Sequence, residues 1–168
     1  MTLLTDELKG FIGRTITYSA REELSRASIR YFSLALDDPN PLYLDDTYAI
    51  AQGYSSLIAQ PTLVVETCQY AHGQPDHRGY FGHSWHLEAP GCRNVRIAND
   101  YEFFRPLVPE DRISVTWTLE DIVEKSYSRG GTQLFVYSVA RFHDARGELV
   151  AINRDILGLQ PRKLNPDV

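Results

Sequence analysis

Four stretches in the C-terminal half carry period-two patterns. They are residues 101–105, 112–125, 134–143 and 149–159. Alternation of apolar and polar residues is what a strand with one buried face requires, because successive side chains point to opposite sides of the sheet. The stretches are separated by Pro106-Leu-Val-Pro109, Ser128-Arg-Gly-Gly131 and Asp144-Ala-Arg-Gly147. Short connections rich in Pro and Gly are of hairpin type, so they predict antiparallel neighbours. Residues 14–18 alternate in the same way and add a short strand near the start. One face of such a sheet must be covered. Pro61-Thr62 opens the most helix-like apolar stretch, residues 63–72, and Gly73 closes it. Pro at the first helical position and Gly just past the last is the expected asymmetry of a helix, and this one is apolar or small on most sides, as a buried helix is. The expectation is an α+β chain: about five antiparallel strands with one long buried helix across them.

The remaining segments are shorter. Ser19-Ala-Arg-Glu22 reads as a capping box, followed by Leu24, Ala27, Ser28, Tyr31, Leu34 and Ala35 on one helical face. That helix is expected to stop at Asp37-Asp38-Pro39, since a proline disfavours helix in the residue before it. Asp45-Asp46 is placed to cap a short helix running to Ala51 and ended by Gly53. Residues 73–99 read as one long irregular region holding Gly79, Gly82, Pro90 and Gly91. Residues 1–168 are expected to form a single domain with a frayed tail at 161–168.

Composition excludes several classes. The 168 residues hold 17 basic and 22 acidic side chains, a formal charge of −5, which disfavours nucleic acid and anionic membrane surfaces as partners. Hydrophobic residues make up 43% and charged ones 23%, a globular balance. No apolar run reaches the roughly 18–20 residues of a membrane span, and residues 1–9 lack the pattern of a secretory signal. Two cysteines, Cys68 and Cys92, form neither a disulfide framework nor a CxxC site. A reduced, cytoplasmic protein is the expectation.

At this point particular residues match a family. Leu36-Asp-Asp-Pro-Asn-Pro-Leu-Tyr43 resembles the Asp-x-Asn-Pro-x-His motif of MaoC-like (R)-specific enoyl-thioester hydratases and dehydratases, and most closely their N-terminal, FAS1-like dehydratase module. Tyr48-Ala49, Ala59-Gln60-Pro61-Thr62, the turn Phe103-Phe-Arg-Pro-Leu-Val-Pro-Glu-Asp111 and the opening Ile12-Gly-Arg-Thr15 fall in the same order as in that module. The resemblance covers about residues 11–159. It implies a hot-dog fold, an antiparallel sheet wrapped around a long central helix. It implies addition or removal of water on a 2-enoyl or 3-hydroxyacyl thioester of coenzyme A or a carrier protein, with no cofactor.

That chemistry needs a positioned, deprotonated water, a proton for the α-carbon and donors for the thioester oxygen. In the family the motif Asp and His hold the water, and the N-terminus of a helix faces the oxygen. Carried onto this chain, those positions are Asp38, Asn40 and Tyr43. A phenol, with an ordinary pKa of about 10 against about 6.5 for imidazole, is a poor base near neutrality. Pro61 removes an N–H from the helix start. The resemblance therefore implies the degenerate half of a pair, shaping the acyl tunnel beside a catalytically complete MaoC-like subunit, or a homodimer. Without the resemblance, residues 37–43 are equally a double-proline turn leaving a helix. Tyr54, Gln60, Thr62, Tyr101 and Phe103 are the candidate tunnel or seam residues.

Other groups have competing readings. His72, His77, His83 and His86 gather with Asp76 around the long loop, with no strong metal-ligand spacing, so no metal is expected. His83, Trp85 or His86 beside the substrate is the functional reading of that loop, and ordinary loop polarity the bland one. Glu66, a carboxylate on the predicted central helix, is the feature a hot-dog thioesterase would use, and Cys68 reads as a small buried residue. A non-enzymatic acyl-thioester binding module is the other alternative. Arg78, Arg93, Arg96, Arg162 and Lys163 are candidates for phosphate contact, or simply solvated charges.

Overall fold

The computed structural model describes residues 2–65, 81–128 and 131–162. Five strands form one antiparallel sheet: β1 (Thr15–Ser19), β2 (Cys92–Phe103), β3 (Ser114–Tyr127), β4 (Gly131–His143) and β5 (Leu149–Pro161). Their order is β1-β3-β4-β5-β2. The helices are α1 (Asp6–Lys9), α2 (Arg26–Ala35) and α3 (Asp46–Ala51), with a 3-10 turn at Pro41–Tyr43. Residues 63–65 are helical, at the start of the stretch expected to form the central helix, and residues 66–80 lie outside the described residues. Glu66, Cys68, His72, Asp76, His77, Arg78 and Lys163 are outside them too. Among the described residues no helix is long and apolar enough to cross a membrane.

The period-two stretches are strands, and both hairpin turns at 128–131 and 144–147 join antiparallel neighbours, β3 to β4 and β4 to β5. The Pro106–Pro109 connection differs. β2 does not pair with β3 but crosses to the far side of β5. β2 also begins at Cys92, within the segment expected to be irregular. Residues 92–100 read Cys-Arg-Asn-Val-Arg-Ile-Ala-Asn-Asp, almost without alternation, because β2 is the edge strand and a register shift between Arg96 and Ala98 interrupts its period. Pro161, placed by sequence in the tail, closes β5 opposite Cys92, past the last β4 pairing of Leu134 with Leu159, so its missing N–H interrupts no β4 ladder.

The first long helix also departs from expectation. Ser19 does not cap it but ends β1 opposite Ser114. Beyond it the Ala20 N–H donates to the Ile113 carbonyl and the Leu24 N–H to the Asp111 carbonyl, both at 2.8 Å, so these donors are committed to the sheet side. The helix is capped six residues later, with Ser25 and Ser28 forming a reciprocal capping box. Its buried face is Ile29 and Ser33, while Tyr31 and Leu34, expected inside, are 64% and 63% exposed. The face is rotated because the Ser33 hydroxyl turns inward to donate to the Asp38 carbonyl. α3 follows the sequence closely: Asp45 accepts from the N–H groups of Thr47 and Tyr48, and Gly53 adopts φ +94° just past the end.

The inner face of the sheet carries two apolar clusters. One joins Val115, Ala140, Phe142 and Ala151 to Ile29, Leu63 and Val64. The other joins Leu119, Ile122, Leu134, Val136 and Leu159 to Leu8 and Leu87.

Candidate functional site

The motif segment is a tightly tied turn. Asp37 sits at φ +53° and reverses the chain at the end of α2. The Asp38 N–H donates to the Ser33 carbonyl at 3.0 Å. The Asp38 carboxylate accepts from the Asn40 N–H at 3.2 Å, and the Asn40 side-chain oxygen from the Leu42 N–H at 3.0 Å. These are consecutive Asx turns, in which a short polar side chain stands in for a backbone acceptor. Both polar motif residues are thus engaged in holding the turn. Tyr43 packs half-buried against the first apolar cluster. Burial pushes its phenol up from the ordinary value, and the Asp38 carboxylate and Tyr54 push the same way. An even smaller fraction of the phenol is ionised near neutrality here than in water, so it is less available as a base.

Hydrogen bonds fix this turn to its neighbours. The Ile58 N–H donates to the Leu42 carbonyl at 2.9 Å and the Ala59 N–H to the Leu107 carbonyl at 2.8 Å. Residues 57–60 therefore lace the motif turn to the Phe103–Asp111 turn. Beside the Phe103–Asp111 turn lies a cleft of about 290 Å³ lined by Tyr54, Pro61, Val64, the segment from Phe103 to Leu107, and Val150 and Ala151, and Asp38, Asn40 and Tyr43 are not part of its lining. Its walls are mostly apolar, as ligand clefts are.

One side of the cleft is stiffened by charge. Arg105 donates to both carboxylate oxygens of Asp111, at 2.8 and 2.9 Å, and to Asp144 at 2.9 Å. Asp111 also accepts from the Val108 N–H, and Asp144 from the N–H groups of Arg146 and Glu148. Burial opposes ionisation of Asp144, but the Arg105 guanidinium and those donors outweigh it and hold its carboxyl well below the usual carboxylate range. The same partners raise the Arg105 guanidinium further. The Arg105–Asp111 pair is bidentate, and Arg105 also reaches Asp144 in the β4–β5 turn.

At the helix start Pro61 brings no N–H. Past Thr62, the N–H groups turn onto carbonyls three residues back, Leu63 to Gln60 at 3.0 Å, Val64 to Pro61 at 3.4 Å and Val65 to Thr62 at 3.1 Å. Gln60 itself is 4% exposed, and among the described residues neither end of its amide has a partner. A buried amide left unpaired costs on the order of 1–3 kcal/mol. Gln60→Leu, which removes the polar ends at similar volume, is expected to stabilise the isolated chain by about 1 kcal/mol or more, read as a higher urea midpoint at unchanged slope.

The remaining candidates are placed as follows. Thr62 is exposed at the helix start. Tyr101 stacks on Phe103, ring centroids 5.8 Å apart, which puts it beside the cleft. His83 sits in an aromatic box away from the cleft lining: Tyr18 OH meets its Nδ1 at 3.0 Å, Trp117 stacks on the ring at 4.5 Å and Trp85 meets it edge-on. His86 is exposed at φ +51°. Arg93 and Arg96 are exposed on β2, and Arg162 is exposed just beyond β5. Val64, Val150 and Ala151 of the cleft had no signal in the sequence beyond their apolar character.

The family model for the FAS1-like dehydratase domain region matches residues 10–153. The chain belongs to the FAS1-like dehydratase family. Within it, the chain is 30% identical over 166 residues to a probable enoyl-CoA hydratase alpha subunit of Thermomonospora curvata, covering 93% of this chain and 52% of that one. It thus spans about half the length of that relative. It is 34% identical over 114 residues to a UPF0336 protein of Streptomyces avermitilis, covering 68% of this chain and 72% of that one. The fold is the hot dog of MaoC-like dehydratases. A chain of the ChsH1-ChsH2 complex from Mycobacterium tuberculosis superposes with a TM-score of 0.72 at 20% identity, over 91% of this chain and 90% of that one. The MaoC-like dehydratase from Rhodospirillum rubrum does so at 0.63 and 20%, over 91% and 94%.

Proposed function

We propose that this chain is the non-catalytic half of an acyl-thioester hydratase/dehydratase, lining the acyl tunnel for a second hot dog that carries an intact Asp and His. The observation that carries the proposal is the state of the motif turn. Asp38 and Asn40 each commit a side-chain oxygen to a backbone N–H, and Tyr43, at the position where the family has His, is a phenol whose pKa burial raises. The engaged N–H groups at residues 63–65 support the same reading, since a thioester oxygen needs donors that point at it. The subunit character of the relatives is consistent with a partner: one is a probable alpha subunit, and one structural relative is part of a two-protein complex.

The test is crotonyl-CoA hydration, measured for the chain alone and co-expressed with an Asp/His-bearing hot dog. The expected result is negligible turnover alone and full turnover in the pair, with Tyr43→Phe changing the paired rate by less than about twofold, as for a group that makes no contact in the transition state. Full activity of the chain alone, abolished by His86→Ala or by Tyr43→Phe, overturns the non-catalytic reading. Release of free thiol from an acyl-CoA by the chain alone favours a thioesterase instead.

A further inference from the structure

The two apolar clusters of the inner face are separated by a polar band. In register across the sheet, Leu134 faces Leu159 and Val136 faces Leu157, then Ser138 faces Asp155 and Ala140 faces Asn153, and then Phe142 faces Ala151. On β2 the partners of Asp155 and Asn153 are Asn99 and Tyr101. Side chains two apart on a strand share a face, so Asn99, Ser138, Asn153 and Asp155 lie on the same side as the core. Ser138 is 3% exposed and Asn153 2%. A face serving only stability carries aliphatic residues here, as it does on the rows to either side, because buried polar groups cost free energy even when partly paired.

The band's hydrogen bonds leave acceptors over. Trp85 donates its indole N–H to the Ser138 hydroxyl at 2.9 Å, and the Asn153 amide donates to the Asn99 oxygen at 2.9 Å. Among the described residues the Asn153 side-chain oxygen has no donor. Asp155 is half-buried, and burial pushes its carboxyl up, with Arg96 opposing. A ligand hydroxyl meeting this band has the Asn153 side-chain oxygen to donate to.

The band also has a definite distance from the cleft. Ala151 and Phe103 line the cleft and face each other in register. At about 3.3 Å per residue, Asn153 lies roughly 7 Å further along the strand and Asp155 roughly 13 Å. That is the span of a medium-length acyl chain whose thioester end sits in the cleft.

We propose that Asn99, Ser138, Asn153 and Asp155 form a subsite selecting acyl groups that carry a hydroxyl toward their distal end, the hydroxyl donating to the Asn153 oxygen or the Asp155 carboxylate. This rests on the acyl-thioester reading above. A site built to hydrogen-bond a hydroxyl discriminates strongly against the analogue that lacks it, because its own buried groups are then left unpaired.

The test is calorimetric titration of the chain, alone and co-expressed with an Asp/His-bearing hot dog, with decanoyl-CoA and with its ω-hydroxy counterpart. The expected result is roughly tenfold or greater preference for the hydroxylated ligand, lost in Asn153→Leu and Asp155→Leu and partly retained in Asp155→Asn. Thermal melts of the variants accompany the titrations. If Asn153→Leu does not fold, the half-buried Asp155 variants supply the comparison. Equal affinity for the two ligands, or a preference that survives all the variants, overturns the subsite and leaves the acyl-thioester reading standing. Binding of neither ligand in either form overturns both.

Discussion

Phe142→Ala is expected to lower stability by about 3–5 kcal/mol, the range for truncating a fully buried aromatic ring. Phe142 is 1% exposed and occupies the centre of the first apolar cluster. It faces Val115 on β3 and Ala151 on β5, and Ala151 is part of the cleft wall. The loss therefore has two parts: the transfer free energy of the ring, and a void that the surrounding strands cannot close without breaking their ladders. For a chain of this size it corresponds to a melting temperature lower by roughly 10 °C. Phe142→Leu, which keeps most of the volume, is expected to cost less than half as much. Equal losses for the two substitutions would place the effect outside packing. Urea denaturation of both variants decides this, because a packing loss moves the midpoint without changing the slope.

The second large effect is expected at the charged network beside the cleft. Asp144→Ala leaves Arg105 with one of its two carboxylate partners and strips an acceptor from the backbone of Arg146 and Glu148. Breaking a fully enclosed pair costs about 3–5 kcal/mol, and the smaller value of about 2–3 kcal/mol is expected here because Arg105 keeps 27% exposure and water screens it. The network also sets a pH dependence. The folded-state pKa of Asp144 lies below its unfolded value of about 3.9. Its ionised form therefore adds stability that is complete above the unfolded value and declines as pH falls from about 5 toward the folded value. The wild-type chain is expected to lose stability in acid more steeply than Asp144→Asn, and the two curves converge at the lowest pH. Parallel curves from pH 6 to pH 3 would show that Asp144 is not held ionised by the fold. The same measurement reads the cleft, since Arg105, Pro106 and Leu107 line it and the network pins their turn.

The inner strands and the short helix at 46–51 were legible because their signals are local. Alternation, a Gly-containing turn and an Asp cap act within a few residues, and tertiary packing agrees with them. The edge strand β2 was not legible before residue 101. An edge gains its order from a ladder to β5 rather than from its own pattern, and the irregularity at Arg96–Ala98 removes what period it had. The start of α2 was misplaced because a good capping sequence at Ser19 was outcompeted by the sheet-side carbonyls of Ile113 and Asp111. The motif turn was found by resemblance. Its physical condition, with one carboxylate oxygen and the amide oxygen tied to backbone donors, appears only in the geometry.

By itself the sequence determined the class of the chain: an antiparallel sheet, the FAS1-like dehydratase family, and a tyrosine at the motif position where the resemblance expects an imidazole. Those are properties of residue type and near-neighbour spacing. Tertiary structure alone decided which strand lies at the edge, which turn closes the cleft and which polar residues share the inner face. Asn99, Ser138, Asn153 and Asp155 come from three strands, are up to 56 positions apart in the chain (from 99 to 155), and meet only because register stacks them. A period of two tells which side of a strand a residue takes, but not which residues of other strands it will stand beside.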